Sequence, residues 1–157
     1  LGACVCVCLY DVKRKVGGMA HITLPRADSF KEIEPSTFNQ PARFVDVAVP
    51  VLVDAMVKTG ASVANMRAAI VGGSHMARAP KSCGQMPDLV QAGVRTVAAA
   101  VEILGSLKIP IIGKDTGGSR GRTVVFRVCD GFVISKQSAS EASVIAMLNA
   151  PIESIAA

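Results

Sequence analysis

The stretch LGACVCVCLYD carries thiols at Cys4, Cys6 and Cys8, and GGMAHITLP carries His21, one of two histidines in the chain. A thiol reacts as its thiolate, and an imidazole within reach is the side chain that generates one near neutral pH. The spacing lets four uses be weighed: a disulfide, a metal site, packing and a nucleophile. Residues two apart on a strand stand roughly 6.5–7 Å apart with parallel side chains, a poor geometry for a disulfide between neighbours. Zinc needs thiolates converging at about 2.3 Å from the metal. Its fourth ligand would have to be Cys83, Cys129, His21 or His75, and no C-x-x-C pair exists to start the site. No metal site is expected. Cys6 and Cys8 read as small apolar residues filling a buried strand. Cys4 differs, because it lies beside Gly2 near the strand's end, where backbone can approach a substrate and a thiol can reach solvent. His21 is the better base candidate. From the residues alone, a Cys4–His21 dyad and a packed histidine remain level readings.

The elements that must position these groups follow from periodicity. Residues 1–10 alternate, with Gly2, Cys4, Cys6, Cys8 and Tyr10 on one face and Ala3, Val5, Val7 and Leu9 on the other; both faces are apolar, so the strand is predicted to be buried. A solvated basic turn at Lys13, Arg14 and Lys15 leads to a second alternating run, MAHITLP, ended by Pro25. An antiparallel pair would return His21 towards Cys4. Residues 26–43 read as a long loop. Phe44 to Lys58 suits a helix that kinks at Pro50 or starts late, and MRAAIVGG a strand entering a glycine turn. A second helix is predicted from an Asp88 N-cap to Gly105, then a short strand in IPIIG. TVVFRVC and FVISK should form a hairpin about the two-residue turn Asp130-Gly131. The Ala- and Ser-rich tail suggests a last helix from about Glu141. Mixed strands and helices with no repeat or linker predict a single domain over residues 1–157, an α/β layered sandwich.

Composition narrows the class. Fifty per cent hydrophobic and 18% charged residues support a real core, and no apolar run approaches the roughly 18 residues a spanning helix needs, so no membrane insertion is expected. An odd count of five cysteines in a chain large enough to fold without staples predicts free thiols in a reducing compartment, the cytoplasm by default. A net charge of +5 favours acidic partners, but no Trp and a single Tyr leave bases without stacking platforms, so nucleic acid is not the expected partner. LGAC also resembles a lipobox, yet an apolar strand follows instead of a polar tether.

LGACVCVCLYD with GGMAHITLP resembles the chemoreceptor glutamine deamidase family, CheD, and the resemblance continues in order through FVDVAVPVLVDAM, AAIVGGSHM and KDTGGSRGRTV. It implies a three-layer α/β sandwich with mixed β-sheets and two main helices, similar to that of deamidating bacterial toxins. The implied activity is hydrolysis of selected glutamine side-chain amides on methyl-accepting chemotaxis receptors, with Cys4 as nucleophile, His21 as general base and acid, and no cofactor. The family's threonine, shortly before the cysteine, would fall before Leu1. The glycine segments are implied to shape the receptor-binding groove, giving Gly2, Gly72, Gly73, Thr116 and Gly117 as substrate-binding candidates. Turn structure alone explains those glycines about as well, while His75 reads as capping or packing, and Asp115 or Arg120 as fixing a loop. A CheC-type phosphatase is a further implied partner, and a non-catalytic adaptor is the competing reading.

Overall fold

The computed structural model describes residues 1–27, 41–75, 87–137 and 140–150. Four strands form the first sheet: β1 (Val5–Asp11), β2 (Val16–Ile22), β3 (Met66–Gly72) and β4 (Ile111–Thr116), in the order β2-β1-β3-β4. β1 runs antiparallel to both neighbours, while β3 and β4 are parallel, as strands joined through a crossover helix must be when they sit side by side in one sheet. A second, antiparallel sheet has the order β5-β6-β7, from β5 (Arg122–Arg127), β6 (Phe132–Gln137) and β7 (Ala142–Met147). The helices are α1 (Val45–Lys58) and α2 (Pro87–Ser106).

The alternation of β1 decides the layering. Val5, Val7 and Leu9 pack into a core with Val45, Val49, Met56, Ala100 and Leu104 of the helices. Cys6, Cys8 and Tyr10 pack into a second core with Val133, Ala146 and Leu148 of the second sheet. The order is therefore helices, mixed sheet, antiparallel sheet: the expected three-layer α/β sandwich. Every residue of β1 is buried, and each Val or Leu so placed contributes roughly 1.5–3 kcal/mol.

Five local expectations change. The first strand begins at Val5 and not at residue 1, with a bend at Ala3, so Gly2 and Cys4 lie outside it. α1 does not start late: it begins at Val45 and holds Pro50 in its second turn, because the buried row Val45, Ala48, Val49, Val53 and Met56 outweighs one missing donor. α2 starts at Pro87, a favoured first helical residue, so Asp88 lies inside the helix, and Gly105 falls within its last turn instead of closing it. The hairpin closes through four residues, Val128 to Gly131, since Arg127 pairs with Phe132 and Gly131 N–H bonds Arg127 O at 2.9 Å. The predicted tail helix is a strand, β7. There Ala146, with the adjoining Leu148, completes the inter-sheet core, and that burial outranks the helical preference of an Ala-rich segment. Of the expected 26–43 loop, residues 28–40 lie outside the described residues; Pro41–Arg43 is a turn of 3-10 helix.

Candidate active site

β1 and β2 are joined by the basic turn, with Lys13, Arg14 and Lys15 exposed as expected. Asp11 secures it, its buried carboxylate accepting the N–H groups of Lys13 (2.8 Å), Arg14 (2.9 Å) and Ser62 (2.7 Å). Burial pushes this carboxyl up, the three N–H groups outweigh it, and the net position is below the usual carboxylate range. The hairpin register that results pairs Val5 with Ile22 and Cys6 with His21. Cys4 precedes the first paired residue. It lies outside β1, one residue after a bend at Ala3; continued one step, the register sets it diagonal to His21, whose partner Cys6 faces the second sheet. Diagonal neighbours stand about 7–8 Å apart, within reach of a long side chain. Cys4 is half-buried and His21 exposed, and among the described residues no hydrogen bond joins the two. Such contacts are often long in a free enzyme and tighten around substrate.

Cys6 and Cys8 behave as packing, with Sγ atoms 3.8 Å apart and almost no exposure. The Cys6 sulfur accepting its hydrogen bond, together with burial, pushes the Cys8 thiol far up, so it stays protonated.

The glycine segments gather around Cys4. Gly73 N–H donates to Cys4 O at 2.9 Å and Ser74 N–H to Gly2 O at 3.1 Å. Gly117 N–H donates to Gly72 O at 3.0 Å, and His75 N–H to Gly118 O at 2.9 Å, beside Thr116 at the end of β4. Gly72 has φ +111°, and a Cβ there would fall within 3.0 Å of the Cys4 carbonyl oxygen. Only glycine lets β3 approach the Cys4 backbone this closely. The candidates Gly2, Gly72, Gly73, Thr116 and Gly117 are thus brought to one place, but the N–H groups of Gly73 and Gly117 are committed to the scaffold.

Next to this cluster, Leu1, Cys6, Met19, His21, Arg122, Thr123 and Val124 line an open cavity of about 260 Å³ between the two sheets. Cys4 is not among its lining residues. Arg122 is the residue that sequence reasoning missed. Its guanidinium pairs with Asp115 at 2.8 Å, and its side chain is only 4% exposed. The signal was parity: Arg122 is in phase with Val124 and Phe126, which face the core between the sheets, so a charge on that face must be buried.

The described Cys4, Cys6, Cys8 and Cys129 are free thiols, and no helix among the described residues is long and apolar enough to cross a membrane. The family model described as CheD chemotactic sensory transduction matches residues 23–137, a span that begins two residues after His21. A protein of Clostridium novyi named probable chemoreceptor glutamine deamidase CheD is 38% identical over 134 residues, covering 85% of this chain and 76% of that one. Its counterpart in Clostridium acetobutylicum is 35% identical over 133 residues (85% and 75%). The relative in Anaeromyxobacter dehalogenans, named probable chemoreceptor glutamine deamidase CheD 1, is 39% identical over 131 residues (83% and 68%). With its sandwich architecture and matches of this extent, the chain belongs to the CheD family.

Proposed function

We propose that this chain, a single domain over residues 1–157, is a deamidase that hydrolyses glutamine side chains of chemotaxis receptors in the cytoplasm, with Cys4 as nucleophile and His21 as its base. The observation that supports this reading is the hairpin register, which pairs the exposed His21 with Cys6, two residues from the half-buried Cys4. The names of the relatives supply the substrate class.

The chemistry follows from the groups. His21 takes the Cys4 proton, and the thiolate attacks the carboxamide carbon, placing negative charge on the amide oxygen. A free backbone N–H such as that of Cys4 would stabilise that charge. The C–N bond breaks as the imidazolium protonates the leaving nitrogen, releasing ammonia and leaving a thioester. Water, deprotonated by His21, attacks the thioester carbon; the C–S bond breaks and glutamate departs, with the thiolate restored. Amide plus water thus gives carboxylate and ammonium, the ammonia taking up the proton the new acid releases, with no redox change.

The test is ammonia release from a receptor cytoplasmic fragment carrying the target glutamine. Cys4→Ala is expected to abolish it, and His21→Ala to lower kcat by about 10²–10⁴-fold. Equal rates for wild type and Cys4→Ala would remove the enzymatic reading. Retained binding to receptor or to a CheC-type phosphatase would then leave the adaptor in its place.

A further inference from the structure

We propose that the ion pair between half-buried Asp115 and buried Arg122 is the positioning element that holds the Cys4 backbone in its reactive place; the catalytic side of this rests on the deamidase reading above. Arg122 closes a ring of contacts around the nucleophile. Its backbone pairs with Leu1 in both directions, Leu1 N to Arg122 O at 2.6 Å and Arg122 N to Leu1 O at 2.7 Å. Three residues on, Cys4 O is held by Gly73 N–H, and the adjoining Gly72 O by Gly117 N–H. The ring returns to Arg122 through its Nη1, which donates to Gly117 O at 2.8 Å and Arg120 O at 3.2 Å.

Asp115 anchors the ring. It sits on β4, its Oδ1 meeting Arg122 Nη2 at 2.8 Å and its Oδ2 accepting from Ser135 Oγ of β6 at 2.7 Å. One carboxylate thereby ties the first sheet to two strands of the second, beside the cavity that His21 lines. The Arg122 guanidinium, followed by Ser135 and Gln137, holds this carboxyl below the usual range against the effect of burial. Arg122 Nε is buried without a partner among the described residues. An arrangement chosen for stability alone would not strand a donor there, whereas a buried ion pair retained for register can. Lysine could not replace the fork, because one ammonium cannot address Asp115, Gly117 O and Arg120 O from a fixed plane.

The experiment measures alkylation of Cys4 by iodoacetamide relative to the exposed Cys129 of the same chain, by mass spectrometry across a pH series, together with kcat and KM for ammonia release. Arg122→Lys and Asp115→Asn are each expected to lower the Cys4-to-Cys129 ratio near neutral pH by about threefold or more. kcat should fall about tenfold or more with KM nearly unchanged. Ser135→Ala, which leaves the ion pair in place, gives the same direction with a smaller effect if the first two variants do not fold by circular dichroism. A ratio unchanged or raised in folded variants overturns the proposal, as does a loss carried by KM, which would mark direct substrate contact. If wild type releases no ammonia, the deamidase reading fails and the alkylation ratio alone decides the positioning role.

Discussion

Gly72→Ala tests how strictly the nucleophile's backbone is held, and Gly60→Ala is its control. Both glycines have φ near +100° (+111° and +94°), so alanine at either adopts a conformation that L-residues avoid, at a cost of about 1–2 kcal/mol. Their surroundings differ. A Cβ at Gly60 meets nothing within 4 Å, whereas at Gly72 it falls within 3.0 Å of Cys4 O, a backbone atom that cannot rotate away. β1 and β3 must separate there, with loss of the Gly73 N–H to Cys4 O bond, a further ~0.5–1.5 kcal/mol. Gly72→Ala should therefore destabilise by about 1.5–3.5 kcal/mol and Gly60→Ala by about 1–2 kcal/mol in urea titrations followed by circular dichroism. Activity should separate the two more sharply. A displacement of about 1 Å at a nucleophile costs on the order of 10²-fold in rate, so Gly72→Ala should lose that much ammonia release while Gly60→Ala, at the far end of the sheet, keeps the wild-type rate. Equal destabilisation by both variants, or full activity in folded Gly72→Ala, would refute a tight grip on Cys4.

Tyr10→Phe should raise stability by about 1 kcal/mol in the same titration, because the buried Tyr10 hydroxyl has no partner among the described residues while the ring keeps its edge contact with Phe126. Acid should destabilise the protein through Asp11 and Asp115. Both carboxyls are held below the usual value of about 3.9, so the stability they confer is complete above that pH and is lost as pH falls through their folded positions. Urea midpoints measured downward from pH 6 should show a loss that Asp11→Asn and Asp115→Asn each flatten. Arg127→Ala should leave the urea midpoint nearly unchanged, since its ion pair with Asp130 lies at the surface.

Alternation was enough to assign β1 over Val5–Asp11, its burial and the shared face of Cys6 and Cys8, because a period of two leaves each side chain one of two directions. The same rule, with a short basic turn, brought His21 back opposite Cys6. Helix α1 was legible from its apolar row, although Pro50 obscured where it begins. The tail was not legible: ASVIAM has mixed local preferences, and only the open edge of β6 and the unfilled core over Cys8 and Tyr10 make it a strand.

The sequence by itself determined which groups could react, because thiol and imidazole chemistry belongs to residue type, and local periodicity determined that Cys6 and Cys8 share one face of β1. Tertiary structure alone decided that β3 and β4 bring Gly72 and Gly117 to the Cys4 backbone, and that Asp115, Arg122 and Ser135 meet from three strands. Those contacts join residues far apart in the chain, and no local preference encodes them; they exist because two sheets must bury their apolar faces against each other and can do so only in the register that also pairs the buried charges.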